Sequence, residues 1–185
     1  KAGWHMAITI HRRRFFRDGL LLTTGLASGA VVPRLLSGWD EASSARAADE
    51  LETASAEQRL KNLGIELPPA PKPVAVYVPG VVSGNMLYAS GHGPRTVDGK
   101  LIQGRVGEDM TLKQGYEAAR LVGLNVLSTI RNTVGSLDQV VRLVKVLGMV
   151  NSTADFDQHP AVINGFSELM VEVFGGKNGK GARSA

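Results

Sequence analysis

Residues 111–135 read TLKQGYEAARLVGLNVLSTIRNTVG, and the fold is decided here. Thr111 is a good N-cap. Behind it Leu112, Tyr116, Ala119, Gly123, Val126, Ile130 and Val134 recur at three- and four-residue spacing, which predicts one apolar face over six turns of helix. Gly135-Ser136 ends it. Next, Gln139 to Val150 is rich in Val and Leu without a helical stripe, which predicts a strand buried on both faces. Asn151 to His159 reads as a loop. Pro160 then opens a second helix through Val162, Phe166, Leu169, Met170 and Val173, stopped by Gly175-Gly176.

Working upstream, Val74 to Val78 reads as a strand ended by Pro79-Gly80. Val81-Val82, the turn Ser83-Gly84-Asn85 and Met86 to Gly91 read as an antiparallel hairpin. Residues 95–110 are mostly loop. The order is β-β-β-α-β-α with one more strand due. That order predicts an α+β fold, a mixed sheet with two helices packed on one face.

The chain has 185 residues, enough for one domain plus extras. Hydrophobic residues make up 43% and charged residues 21%, which excludes wholesale disorder. Cysteine is absent, which excludes disulfides, thiolate metal sites and Cys nucleophiles. The net charge of +4 is local: residues 1–46 hold seven Lys/Arg against three acids, and residues 47–185 hold 14 of each. A balanced domain offers no electrostatic footprint for a phosphate backbone, so no nucleic-acid partner is expected.

Residues 1–47 read as a leader. A natural start at Met6 would leave residues 1–5 as a tag scar or upstream read-through. Arg12-Arg13-Arg14-Phe15-Phe16-Arg17 resembles the twin-arginine export signal. Gly19 to Val32 is apolar, yet short and rich in Gly and Thr for a membrane span. Ala45-Arg46-Ala47 offers the small residues a signal peptidase reads. A periplasmic or exported protein is expected, with membrane contact only through the leader during export; a cytoplasmic one is the alternative. Residues 48–73 read as a short helix over Asp49 to Leu63 and a stiff Pro68-Pro69-Ala70-Pro71-Lys72-Pro73 connector. Residues 74–185 form the domain, and its end, Gly175 to Ala185, reads as a loop leading to a strand not yet reached.

Motif chemistry is sparse. His5, His11, His92 and His159 are scattered with no metal-ligand spacing, so no metal and no cofactor is expected. No glycine-rich phosphate loop and no Gly-x-Ser-x-Gly elbow occurs. His92 follows a predicted strand end and reads more readily as a loop residue than as a pocket group. Lys145, inside Val144-Lys145-Val146, reads as a rim residue before a Schiff-base one. Arg183, in Gly181-Ala182-Arg183-Ser184-Ala185, has no acidic neighbour in sequence; such an Arg can clasp a carboxylate in a two-point fork or simply lie solvated.

An ordered set of segments carries more. Val76-Tyr77-Val78-Pro79-Gly80, Gly84 through Gly91, Leu137-Asp138-Gln139 through Val146, Asp155-Phe156 and Ala182-Arg183-Ser184 together resemble the RidA (YjgF) family across about residues 57–185. The lead-in Arg59-Leu60 through Gly64-Ile65-Glu66-Leu67-Pro68 resembles a branch with a longer N-terminus. The resemblance implies a chorismate-mutase-like fold, a homotrimer, and pockets in the clefts between subunits. It implies hydrolysis of reactive 2-imino or enamine acids to keto acids and ammonia. Arg183 would grip the substrate carboxylate, Ser90 would donate a hydrogen bond, and Tyr77, Gly91 and Asn164 would line the pocket. The family continues past the Ala-Arg-Ser segment with further strands and a pocket glutamate, which are expected beyond Ala185. Ala185 stands where some imine hydrolases carry Cys. A non-catalytic small-carboxylate binder of the same fold, or an endoribonuclease and translation inhibitor, is the alternative.

Overall fold

The computed structural model describes residues 54–70 and 72–185, and the backbone of residues 8–12. The elements are β1 (Ile8–Arg12), α1 (Ala56–Asn62), β2 (Gly80–Ser83), β3 (Met86–Ala89), α2 (Leu112–Val134), β4 (Val140–Leu147), α3 (His159–Asn178) and β5 (Ala182–Ser184). The sheet order is β2-β3-β1-β4-β5. β1 pairs antiparallel with both β3 and β4, β2 pairs antiparallel with β3, and β4 and β5 are parallel. Parallel neighbours need a crossover connection, and α3 supplies it between β4 and β5.

α2 starts as its sequence predicts. The Thr111 side chain accepts from the Gln114 N–H, and the Gln114 side chain accepts from the Thr111 N–H at 2.8 Å, a reciprocal capping box. Its apolar stripe buries Val122, Val126, Leu127 and Ile130. α3 buries Val162, Phe166, Leu169, Met170 and Val173. The two helices run side by side in the same direction, and Leu87, Leu143 and Val146 of the sheet close the core beneath them. At Gly165 the helices approach so closely that a Cβ would collide with the Tyr116 carbonyl oxygen. Two polar pairs zip the outer edge: Tyr116 donates to Glu168 Oε2 at 2.6 Å, and Arg120 donates to both oxygens of Glu172 at 3.1 and 2.7 Å.

The mixed sheet with two long helices on one face is the predicted architecture, and four local expectations are corrected. Val74 to Val78 is not a strand: it is exposed, with Tyr77 N–H donating back to the Ala75 carbonyl in a tight turn. Proline on either side, at 73 and 79, and the lack of a paired strand there among the described residues override the β-branched propensity. β4 is buried on one face only, with Leu143 and Val146 inside and Arg142, Lys145 and Leu147 outside. The three-residue step between its two inward residues matches a shift in the β1–β4 register. α3 does not stop at Gly175-Gly176. It kinks at Gly175 (φ 79°, ψ 162°) and adds a further turn to Asn178. Finally, Ala182 to Ser184 already forms a strand.

β1 lies within the stretch read as a leader. The rest of that stretch, with the twin-arginine motif beyond Arg12 and the apolar segment, lies outside the described residues. Among the described residues no helix is long and apolar enough to cross a membrane.

The lead-in is fastened to the domain. Ser55 caps α1, whose Leu60 is buried. Glu57 accepts from Arg131 Nε at 3.1 Å and from the Leu137 N–H at 2.9 Å. The Pro68 carbonyl accepts from Ser128 Oγ at 2.5 Å. The short helix is thus held by α2 and by the turn that follows it.

Candidate functional site

Arg183 sits on β5, and its side chain reaches α3. One guanidinium nitrogen, Nη1, donates to Asn164 Oδ1 at 2.8 Å and to Ser167 Oγ at 3.0 Å. Both acceptors are neutral. Among the described residues no carboxylate pairs with this cation, so its charge and its other N–H donors are available to an anion. The side chain is half-buried, which strengthens an ion pair formed there relative to bulk water.

Beside it opens a cleft of about 320 Å³ between the β4–β5 edge and α3. Leu143, Val146 and Val171 supply apolar walls, and Arg183, Lys180 and Glu168 supply charge. The volume falls at the small end of ligand pockets. Glu168 is held by Tyr116, whose phenol is pushed above its ordinary pKa, chiefly because it donates to this carboxylate.

The residues singled out from sequence fall into two groups. Arg183 and Asn164 meet directly. Ser90 and Gly91 follow β3 at the end of the β2–β3 hairpin, where the Ser90 N–H donates to the Pro79 carbonyl at 2.9 Å, and Tyr77 stands two residues before that proline. Ser90 Oγ is buried with no hydrogen-bond partner among the described residues. Tyr77 is 42% exposed. The two groups belong to different parts of the sheet. Ala89, Ile8, Val146 and Arg183 form one transverse row. Three strand spacings separate its ends, about 14 Å. Within one subunit Ser90 and Arg183 therefore do not face one small ligand.

Ser167 and Glu168 were not anticipated. Their signal was helical spacing: they stand three and four residues after Asn164, on the same face of α3. His92 is buried, with Nδ1 2.8 Å from the Ser90 carbonyl and Nε2 2.8 Å from Thr129 Oγ1. A carbonyl only accepts, so Nδ1 carries the proton and the Thr129 hydroxyl donates to Nε2. Burial pushes the imidazole below its ordinary pKa, against the opposing hydrogen bond to Ser90. His92 thus braces the Ser90 loop against α2. His159, the first residue of α3, is engaged with Ser152 Oγ at 3.0 Å and stacks edge-on against Phe156. Lys145 is exposed and donates to Ser184 Oγ at 3.1 Å, a rim position. Among the described residues no three His, Asp or Glu side chains converge as metal ligands would.

This sheet and its two parallel helices have counterparts among known proteins. The family model described as "YjgF/chorismate_mutase-like, putative endoribonuclease" matches residues 57–184. The chain belongs to the YjgF/chorismate-mutase-like family. It is 40% identical over 126 residues to Protein TCP17 of Trypanosoma cruzi, covering 68% of this chain and 79% of that protein. The crystal structure of a "putative endoribonuclease" from Shewanella oneidensis superposes with a TM-score of 0.67 at 33% identity, over 70% of this chain and 85% of the other. A protein of unknown function from Agrobacterium tumefaciens superposes with a TM-score of 0.62 at 39% identity, over 70% and 80%. The match begins at α1 and ends on β5, so it takes in this YjgF member's lead-in helix as well as Asn164, Glu168 and Arg183.

Proposed function

We propose that the chain hydrolyses reactive 2-imino and enamine acids to keto acids and ammonia. One observation carries this reading: a half-buried Arg183, oriented by two neutral acceptors and without a carboxylate partner among the described residues, at the lip of a small cleft. That arrangement suits a substrate carboxylate. An imine is already electrophilic, so the protein has only to hold it and orient one water. Positioning of this kind lowers a barrier by about 7 kcal/mol even at the low end of effective molarities.

The three strand spacings, about 14 Å, between Ala89, next to Ser90, and Arg183 favour assembly. A second copy that brings its hairpin end to this cleft would complete the site with Tyr77, Ser90 and Gly91, as in the homotrimer expected from the family. Tyr88, Val81 and Leu147 are half-exposed; on Tyr88 and Leu147 the sheet face away from the helices offers apolar surface for such packing.

The test is ammonia release from 2-imino acids generated in situ by an amino-acid oxidase. The wild-type protein accelerates imine loss. Arg183→Ala forfeits a charge-assisted pair worth about 1.5–3 kcal/mol, hence roughly 10- to 150-fold in kcat/KM. Equal rates for the two proteins would refute the reading. Thermal stabilisation by keto acids without turnover would instead select a binding module. The endoribonuclease description of the family model is disfavoured by the charge balance of residues 47–185; salt-dependent RNA binding would restore it.

A further inference from the structure

We infer that Glu168 is a catalytic residue of this site, the carboxylate that pairs with the iminium nitrogen of the substrate and takes the proton of the attacking water. The inference rests on the proposed imine hydrolysis. Glu168 and Arg183 line the same cleft, yet no ion pair joins them among the described residues. Tyr116 holds Glu168 through Oε2 at 2.6 Å, and Oε1 has no protein partner among the described residues. Two cations, the half-buried Arg183 and Lys180, and one anion held by Tyr116 thus share one small space, with no ion pair joining them among the described residues.

That pattern matches a zwitterion. A protonated 2-imino acid carries a carboxylate and, one bond away, a cationic C=N. A simple carboxylate carries only the first. Arg183 recognises the part common to both; Glu168 recognises the part found only in the reactive compound, and keeps its nitrogen protonated and its carbon electrophilic.

The water oxygen bonds to C2 while the C=N electron pair moves to nitrogen, and Glu168 takes the proton lost by that oxygen. It returns the proton to the amine. The hydroxyl oxygen then closes the carbonyl, the C–N bond breaks with its pair going to nitrogen, and Glu168 relays the hydroxyl proton to the departing ammonia. One water and one iminium acid give one keto acid and one ammonium ion.

Glu168→Gln tests this in the full chain. It keeps an oxygen to accept from Tyr116 and removes only the charge. Turnover of the in-situ imine is expected to fall roughly 100-fold, while the affinity for the keto-acid product, which lacks the cation, stays within twofold and the melting temperature is unchanged. Glu168→Asp, which keeps the charge on a shorter arm, recovers part of the rate and serves also if the Gln variant does not fold. Unchanged turnover in Glu168→Gln alongside a crippled Arg183→Ala overturns this inference and leaves the proposed function standing. Unchanged turnover in both overturns the proposed function itself. Loss of keto-acid binding in step with turnover also overturns the inference, because the carboxylate would then be shaping the cleft and not reading the cation.

Discussion

Arg183 and Asn164 are joined by a hydrogen bond of 2.8 Å that ties β5, at the sheet edge, to the second turn of α3. The bond uses Nη1 alone, and Ser167 shares that nitrogen. The guanidinium is therefore aimed by its inner corner while its outer donors stay available. Orientation and availability are separate properties, and two substitutions of Asn164 separate them.

Asn164→Ala removes one anchor and leaves Ser167. One hydrogen bond to a cation is worth about 1.5 kcal/mol, so kcat/KM for imine hydrolysis should fall roughly tenfold. Asn164→Asp keeps the acceptor and adds a charge that pairs with Arg183 in the substrate's stead. Turnover should drop further than in the Ala variant, while the melting temperature holds or rises. Steady-state kinetics beside thermal melts check both; an Asp variant as active as wild type would show that Arg183 does not bind the substrate.

Burial pushes the Glu57 carboxyl up, but hydrogen bonds from Arg131 and the Leu137 N–H and the Arg131 charge outweigh it, and the group titrates below its ordinary value. A carboxylate with a lowered folded pKa stabilises the fold above its unfolded pKa of about 4.3, and the contribution disappears as pH falls through the folded value. Glu57→Gln should cost about 1–2 kcal/mol near neutrality. The gap from wild type should narrow as pH falls below about 4.3 and close once pH is under the lowered folded value. Urea titrations at several pH values read it directly.

His92 gives a slope at higher pH. Its folded pKa is lowered by burial, so the unfolded chain binds the proton more readily. Stability is complete above the unfolded value of about 6.5 and declines as pH falls below it, by at most about 1.4 kcal/mol per pH unit. His92→Gln removes the titrating group, and the decline between pH 6.5 and 5 should flatten. The same variant loosens the brace on the Ser90 loop, so imine turnover should fall in it even at pH 8, where the histidine of the wild type is neutral.

The helices were legible because each has a stripe that tertiary packing uses: Thr111 caps one, Pro160 opens the other, and Val126, Ile130, Phe166 and Leu169 are core residues at the predicted spacing. The hairpin was legible from its Ser83-Gly84-Asn85 turn, whose Gly84 has φ 59°. Val74 to Val78 misled because propensity reports a preference and not a partner. β1 was hidden because its partners lie more than 70 residues away in sequence and nothing local distinguishes a strand from an export leader. Arg183 and Asn164 were found through resemblance to a family. Ser167 and Glu168 carry no motif, and only the helical step from Asn164 relates them to the site.

The position of Glu168 relative to Tyr116 depends on the contact between α2 and α3. Gly165 faces the Tyr116 carbonyl so closely that any Cβ must push α2 and α3 apart. The obstacle is backbone on both sides, so no rotamer change relieves it. Overpacking of this kind costs about 1–3 kcal/mol, and Gly165→Ala should lower the urea midpoint accordingly. Separation of the helices also draws Glu168 away from Tyr116, which at 2.6 Å has little slack. Imine turnover should therefore fall at 20 °C, where the variant is still folded, and by more than in Gly123→Ala, whose added methyl meets the side chains of Leu169 and Phe166, not backbone. If Gly165→Ala matched wild type in both urea midpoint and turnover, the close approach of the two helices would not be what sets the cleft.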